Sequence, residues 1–300
     1  MPAERGAVSS GATAPGATAP GATAPSAGAP VIEGLAATCT GVVKIYWTAT
    51  GEVNALKGVD ASFPRAAVTA VVGPSGSGKS SLLRIIAALD RPTAGQVRVG
   101  DVELSGLSFG RLRKVRRRLI GYVFQRPADN LIPYLTASQH LAMVARLRGH
   151  RGAAGADELL EFLGIAERRH HLPHQLSGGE QQRLAFAQAV VGGPPIVVAD
   201  EPTAELDSAS GEALLQLVVG LARMGTSFVV ATHDHAVVRQ ADRTLYLRHG
   251  AMEGEAGRER MLSVIDAAGR IQLPPEALRL FPDRRAVIDL EEGEVRITPP

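Results

Sequence analysis

The stretch Gly73-Pro-Ser-Gly-Ser-Gly78-Lys79-Ser80 decides the fold of this 300-residue chain. It follows the apolar run at residues 68–72 and leads into residues 81–89, whose large apolar side chains recur at helical spacing. Glycines let successive backbone N–H groups turn toward one anion, and the N-terminus of a helix favours negative charge. A strand, a G-x4-G-K-S loop and a helix in this order are typical of a site for nucleotide phosphates. The residues predicted to form this phosphate-binding loop are Gly73, Pro74, Ser75, Gly76, Ser77, Gly78, Lys79, Ser80 and Ser81.

Four side chains give the predicted site its chemistry. Lys79 is expected to reach the β- and γ-phosphates, and the hydroxyl of Ser80 is expected to ligate Mg²⁺. A second apolar run, residues 196–199, ends in Asp200 and Glu201. Parallel strands deliver such carboxylates to the sheet edge where ligands bind, so we expect Asp200 to act on the metal and Glu201 to polarise the attacking water as general base. The sequence therefore predicts hydrolysis of a nucleoside triphosphate with Mg²⁺.

A third motif, Leu176-Ser-Gly-Gly-Glu180-Gln-Gln-Arg183, resembles the signature of ABC-type ATPases, the nucleotide-binding subunits of ABC transporters. It places a serine and glycines before a helix, where N–H groups are offered to an anion. The resemblance implies that Ser177, Gly178, Gly179 and Glu180 contact the γ-phosphate of ATP bound on a second subunit. It thus implies a homodimer in which two copies sandwich two nucleotides head-to-tail.

The resemblance extends to further single positions. It implies that Gln125 senses Mg²⁺ and the coupling partner, and that His233 contacts the γ-phosphate. It also implies that Tyr46 stacks on adenine, with Trp47 as a one-residue alternative, because stacking uses the face of a ring. Asp207 lies in the segment that matches the D-loop of the family. The residues expected to take part in hydrolysis are thus Lys79, Gln125, Glu201 and His233.

The fold implied by the resemblance is α/β, of the P-loop NTPase class. It combines a RecA-like core with an antiparallel β subdomain and an inserted helical subdomain, followed by a small C-terminal β-rich unit. The ATPase domain is expected at residues 31–252, with the helical subdomain at about residues 127–190. The alternation of apolar runs with helical patterns also favours a parallel sheet. Its candidate strands include residues 68–72, 119–124, 196–199 and 228–231.

Composition and charge limit the partners. The formal net charge is +2, so the chain as a whole gives no electrostatic argument for nucleic acid or an anionic membrane. No apolar run approaches the ~18–20 residues of a membrane helix, and the single cysteine, Cys39, fits a reducing cytoplasm. With the resemblance, this predicts a cytoplasmic ATPase held at the inner face of the cell membrane by a separate transmembrane permease. The basic run 111–118 is expected to be a solvated helix face, with contact to anionic lipid as the alternative.

Three short segments resemble the lipoprotein-release and macrolide-exporter group, namely residues 88–93, 120–125 and 199–203. This likeness implies an exporter or a force-transmitting type of transporter. The alternative is a soluble ABC ATPase of DNA repair or chromosome organisation. Those proteins insert long coiled coils between loop and signature, whereas here fewer than one hundred residues without extended heptads separate the two motifs.

The two ends of the chain differ from the centre. Residues 1–30 are predicted to be a disordered tail, because Gly-Ala-Thr-Ala-Pro occurs three times in succession without a large apolar side chain to bury. Residues 253–261, rich in Gly and Glu, are predicted to be a linker. Residues 262–300 resemble the swapped-hairpin unit of AbrB-type DNA-binding domains. Five arginines against seven acidic residues in 263–300 give a net charge of −2. This charge favours dimerisation over a DNA-binding regulatory tail, which is the alternative.

Overall fold

The structure is a computed structural model that describes residues 34–49, 51–150, 155–257, 261–263, 279–281, 285–291 and 294–299. The tail predicted for residues 1–30 lies outside these ranges. So do residues 264–278, which carry the resemblance to the swapped hairpin.

The described parts of the chain alternate strands and helices. The strands are β1 (Leu35–Thr48), β2 (Gly51–Pro64), β3 (Val68–Val72), β4 (Ala94–Val99), β5 (Val102–Glu103), β6 (Ile120–Val123), β7 (Ile196–Asp200), β8 (Ser227–Thr232), β9 (Arg243–Arg248), β10 (Ala251–Gly257), β11 (Met261–Ser263), β12 (Val287–Glu291) and β13 (Glu294–Thr298). The α-helices are α1 (Lys79–Ile86), α2 (Phe109–Leu119), α3 (Ala137–Leu147), α4 (Ala156–Phe162), α5 (Gly178–Val190), α6 (Ser208–Arg223) and α7 (His235–Gln240). Single 3₁₀ turns are formed by Pro127–Asp129, Ala166–Arg168 and Pro173–Gln175.

A seven-stranded sheet in the order β11-β10-β9-β3-β8-β7-β6 forms the centre. Its strands β9, β3, β8, β7 and β6 are mutually parallel, as the alternation of apolar runs and helices predicts. Strand β10 joins this sheet antiparallel to β9, and β11 pairs antiparallel with β10. Because parallel strands share one carboxyl edge, the loops that follow β3, β6, β7 and β8 open on the same side.

Both faces of the central strands are covered, which explains their uninterrupted apolar sequence. In β3, Ala70 packs in a core shared with α5 and α6, whereas the next residue, Val71, packs in a second core shared with α1 and the antiparallel sheet. The side chains of β7 alternate between the two cores in the same way, with Val197 in the first core and Val198 in the second.

A second sheet, β2-β1-β4-β5, is antiparallel. Strands β1 and β2 form a long hairpin in which Tyr46 lies opposite Val53. Between Pro127 and Val190 every regular element in the described ranges is helical, in the region where the sequence predicts a helical insertion. No helix in the described ranges has the length and apolar content needed to span a membrane.

The structure differs from the linker predicted for residues 253–261. Residues 253–257 belong to β10, whose backbone pairs with β9, and Gly254 is buried. The Gly- and Glu-rich composition suggested a linker because it offers little apolar surface. Backbone pairing does not need apolar side chains, however, and Glu255 finds an ion-pair partner in Arg243. Further along, β12 and β13 pair antiparallel within the segment that resembles the swapped-hairpin unit.

Candidate nucleotide-binding site

A cavity of about 660 Å³ opens at the carboxyl edge of the parallel strands. It brings together residues that lie far apart in the sequence, following β3, β6, β7 and β8 or standing on the β1–β2 hairpin. The lining residues are Tyr46, Val53, Asn54, Ala55, Gly73, Pro74, Ser75, Gly76, Ser77, Gly78, Lys79, Ser80, Ser81, Gln125, Asp200, Glu201 and His233.

Two glycines of the loop, Gly73 and Gly78, are required because the backbone there lies very close to its surroundings. Gly78 has φ +104°, and a Cβ atom there would lie 2.5 Å from the carbonyl oxygen of Ala55. A Cβ atom at Gly73 would lie 1.9 Å from the carbonyl oxygen of Leu247. The loop therefore fits tightly against β2 and β9, and only glycine is accommodated at these two positions.

Lys79 begins α1 and is almost fully buried, with 9% of its surface exposed. Its ammonium group donates to the carbonyl oxygens of Gly73, at 2.7 Å, and of Pro74, at 3.2 Å. A buried ammonium needs such acceptors, because an unpaired charge in this environment is strongly destabilising. Both acceptors belong to the loop itself, so the charge lies inside the curve where an anion would bind.

Two adjacent carboxylates end β7. Burial raises the pKa of Asp200, and the hydroxyl of Ser80, which hydrogen-bonds to its carboxylate, opposes that rise. Glu201 has φ +45°, an unusual backbone conformation for a residue with a side chain, and its N–H donates to the carbonyl oxygen of Ala231 at 2.9 Å. The turn at Glu201 therefore redirects the chain at the edge of the cavity, where strained backbone is often functional.

His233 contacts Glu201 directly. Its Nδ1 lies 2.9 Å from Oε2 of Glu201, and its backbone N–H donates to the same oxygen at 3.4 Å. The Glu201 side chain is 16% exposed and that of His233 is 74% exposed, so the ring stands outward from a largely buried carboxylate.

Gln125 follows β6 and lines the same cavity. Asn130 fixes the preceding backbone, accepting from the N–H of Phe124 and donating to the carbonyl oxygen of Tyr122, both at 2.8 Å. The Ser80 hydroxyl, the Asp200 carboxylate and the Gln125 amide thus face one space. Hydroxyl, carboxylate and amide oxygens are the ligand types that Mg²⁺ prefers, so this set fits a magnesium ion.

Of the two aromatic residues considered for stacking, only one lines the cavity. Tyr46 lines the cavity, whereas Trp47 is 78% exposed and does not line it. The β1–β2 hairpin also supplies Val53, Asn54 and Ala55 to the cavity wall. No sequence motif marks these three residues, because their place in the wall follows from the register of the strands.

The four signature residues do not line this cavity. Ser177 caps α5: its hydroxyl accepts from the N–H of Glu180 at 3.3 Å, and the Glu180 carboxylate accepts from the N–H of Ser177 at 2.8 Å. Arg168 donates to the same carboxylate at 2.9 Å. The N–H group of Ser177 and then Arg168 lower the pKa of Glu180 to about 2. Ser177 and Gly178 are exposed, so the start of α5 is open to an external ligand.

Asp207 does not line the cavity either. It caps α6, accepting from the side chain and the N–H of Ser210 at 2.7 and 2.9 Å, and these hydrogen bonds lower its pKa. Ser177, Gly178, Gly179, Glu180 and Asp207 are thus the predicted site residues that one chain does not bring to its own phosphate-binding loop.

The chain is similar to known proteins in sequence and in fold. Residues 56–204 match the model of the family described as ABC transporter. The chain is 42% identical to the ABC transporter ATP-binding protein MJ0796 of Methanocaldococcus jannaschii over 71% of this chain and 94% of that protein. The MJ0796 structure, determined as a dimer in a post-hydrolysis state with ADP and Pi, has a TM-score of 0.68 at 38% identity and covers 74% of this chain and 98% of its own.

Two relatives have names from lipoprotein-releasing and macrolide-export systems. The lipoprotein-releasing system ATP-binding protein LolD of Shewanella frigidimarina is 41% identical over 68% of this chain and 87% of its own length. The macrolide export ATP-binding/permease protein MacB 1 of Aeromonas hydrophila is 40% identical over 73% of this chain, which spans 34% of that longer protein. The phosphate-binding loop, the carboxylates that end β7 and these similarities together show that the chain belongs to the ABC transporter family, as an ATP-hydrolysing nucleotide-binding subunit.

Proposed function

We propose that the chain hydrolyses ATP in a head-to-tail homodimer, where each nucleotide lies between the loop 73–80 of one copy and residues 177–180 of the other. One observation carries this proposal. All the predicted loop, metal and hydrolytic residues line one cavity, whereas the exposed start of α5 does not. An exposed helix N-terminus is suited to an anion, and within one chain the start of α5 does not line this cavity.

In the proposed complex the chain's own groups hold the nucleotide. The N–H groups of the loop surround the phosphates, Lys79 exchanges its carbonyl acceptors for phosphate oxygens, and Tyr46 stacks on adenine. Ser80, Asp200 and Gln125 would hold Mg²⁺, which when bound neutralises charge on the β- and γ-phosphates.

Glu201 is the proposed general base. It accepts a proton from the water that attacks the γ-phosphorus, and ADP leaves as the bond to the bridging oxygen breaks. His233 orients this carboxylate through its Nδ1 and N–H contacts, and it is placed to approach the γ-phosphate from the cavity rim.

We further propose that the subunit works with a separate membrane permease of the exporter or force-transmitting type, at the inner face of the cell membrane. Support comes from the relatives named above and from a second cavity of about 700 Å³, whose lining includes Phe124, the residue before Gln125. Apolar Phe124 and Leu147 line this cavity together with basic side chains of α2, including Arg113 and Arg117. A partner bound in this cavity would contact the segment next to Gln125, so a movement of Gln125 would be transmitted to that partner.

The C-terminal unit predicted from residue 262 must begin later, because residues 262 and 263 belong to β11 of the central sheet. For residues 264–300 we propose a swapped-hairpin unit that holds two subunits together without nucleotide. The β12–β13 pair and the net negative charge support this proposal over DNA binding. Because β10 and β11 belong to the central sheet, the informative truncation ends after Ser263. Size measurement of this shortened chain without ATP should give a monomer. A dimer of unchanged stability would exclude this role.

The head-to-tail site is tested by Ser177→Arg, with Ser108→Arg as the matched control. Ser108 is also an exposed residue at a helix N-cap, on α2. The Ser177 variant should bind ADP normally but lose ATP hydrolysis, because its own cavity is intact and the partner's is not completed. Hydrolysis at the wild-type rate, or loss of ADP binding in the folded variant, would contradict the proposal.

A further inference from the structure

Three side chains beside the cavity, those of Tyr46, Asp90 and Lys44, form a hydrogen-bonded cluster outside the phosphate-binding loop. The hydroxyl of Tyr46 donates to Oδ2 of Asp90 at 3.0 Å, and Lys44 donates to Oδ1 of the same carboxylate at 2.7 Å. Lys44 also donates to the carbonyl oxygen of Arg91 at 2.9 Å, and the Tyr46 hydroxyl lies 3.4 Å from the hydroxyl of Ser81. The cluster thus joins the strand β1 to the segment after α1.

The contacts fix the tyrosine ring at its edge and on one face. The hydroxyl end is held by Asp90, and the ammonium of Lys44 lies 4.7 Å from the ring centroid, where it attracts the π-face. Lys44 is itself largely buried. Since Tyr46 lines the cavity, the ring can offer a planar ligand the face that Lys44 does not cover.

Asp90 is the acceptor on which the cluster depends. Burial works against its charge, but hydrogen bonds from Lys44, from the N–H of Arg91 and from Tyr46 outweigh burial and hold its pKa below the ordinary value. The carboxylate is therefore ionised throughout the physiological range, and both partners keep their acceptor.

We propose that Asp90 and Lys44 are positioning residues that hold the ring of Tyr46 ready to stack on the base of the nucleotide. The inference rests on the proposed role of Tyr46. Its physical basis is preorganisation: a ring that is already fixed loses little rotational freedom when a ligand binds. Without Asp90 the ring can rotate in the free protein, so ordering it on binding costs conformational entropy and weakens the affinity for the nucleotide.

The experiment compares Asp90→Ala with Asp60→Ala in the full chain. Asp60 is a matched control because its carboxylate also accepts a hydrogen bond in the antiparallel sheet, from the N–H of Gly41 at 2.8 Å, and it does not line the cavity. The Kd for ADP is measured by calorimetry, since ADP carries the base without being hydrolysed. Asp90→Ala should raise this Kd by about three- to tenfold and raise KM for ATP, with kcat nearly unchanged. Asp60→Ala should leave Kd unchanged.

A double variant separates positioning from general destabilisation. In a Tyr46→Ala background, Asp90→Ala should have no further effect on the Kd, because no ring remains to be positioned. An equal rise with and without the tyrosine would overturn the proposal. Tyr46→Phe removes only the hydroxyl and gives an independent test if Asp90→Ala does not fold. This variant should weaken ADP binding, but less than Tyr46→Ala does. If Tyr46→Phe bound ADP with wild-type affinity, the hydrogen bond from Tyr46 to Asp90 would not position the ring. A wild-type chain that does not bind ADP would instead reject the proposed nucleotide site itself.

Discussion

Oε2 of Glu201 lies 2.9 Å from Nδ1 of His233, and it also accepts the backbone N–H of that histidine. The two residues are 32 positions apart in the sequence and follow neighbouring parallel strands, β7 and β8. The bond between the N–H of Glu201 and the carbonyl oxygen of Ala231 fixes the turn that makes this contact. The proposed base and the proposed γ-phosphate contact are therefore one structural unit.

Glu201→Gln should preserve ATP binding and stop turnover, because the amide keeps the shape of the side chain but cannot accept a proton from water. The expected loss of kcat is about 10²- to 10⁴-fold. When it is combined with the truncation after Ser263, the variant should change from a monomer to a closed dimer on addition of ATP, which size measurement would detect. Glu212→Gln, an exposed glutamate of α6, is the control and should hydrolyse ATP normally. Rapid hydrolysis by the Glu201 variant would show that another group is the base.

Lys79→Ala should weaken ATP binding by about 10- to 100-fold, the range expected for loss of hydrogen bonds to a charged group. Calorimetric titration with ATP measures the effect. Lys57→Ala provides the comparison, because Lys57 is an exposed lysine of β2 outside the cavity lining. If the Lys79 variant retained wild-type affinity, the phosphates would have to lie elsewhere.

Gly78→Ala should destabilise the folded protein more than Gly76→Ala does. Both glycines have positive φ, +104° and +75°, so each substitution costs about 1–2 kcal/mol in backbone strain. Only at Gly78 does the added Cβ collide with other atoms, 2.5 Å from the carbonyl oxygen of Ala55, whereas at Gly76 it meets nothing within 4 Å. Urea unfolding of the two variants measures the difference. Equal losses of stability would mean that the loop can move away from β2.

Arg168→Ala should weaken ATP-driven dimerisation, because it leaves the Glu180 carboxylate uncompensated beside the phosphates of the partner's nucleotide. About two- to fivefold weaker association is expected for a partly exposed pair, measured for the Glu201→Gln chain that ends after Ser263. Adding Glu180→Gln should restore the affinity by removing the negative charge. Arg126→Ala breaks another exposed pair, with Asp129, and should have no effect. Failure of the added substitution to rescue would assign Arg168 a different role.

Glu180 should also make stability depend on pH. Its pKa falls from 4.5 to about 2 in the folded protein, so its stabilising effect is complete above the unfolded value and is lost as pH falls from about 5 toward 2. Glu180→Gln lacks this titration. The difference in unfolding free energy between wild type and variant should therefore be constant from pH 8 to about 6 and shrink at pH 4. If this difference instead grew on acidification, the pKa of Glu180 would be raised by folding and not lowered.

Local patterns in the sequence were sufficient for much of this protein. The apolar run before Gly73, the glycines and Lys79 predict a strand, a loop and a helix because each depends on neighbouring residues only. The capping of α5 is equally local, since Ser177 and Glu180 are three residues apart and bond each other's backbone. The alternating strands and helices likewise predicted the parallel sheet.

Only the tertiary structure decided which distant residues meet. Strand register placed Val53, Asn54 and Ala55 in the cavity wall, and it turned residues 253–257 into a sheet strand despite their linker-like composition. The Glu201–His233 contact and the anchoring of Tyr46 by Asp90 join segments 32 and 44 positions apart. Such contacts leave no periodic trace in the sequence, because they depend on the order of strands in the sheet and not on neighbouring residues. The sequence determined that this protein has a phosphate-binding loop, and the tertiary structure determined which side chains surround it.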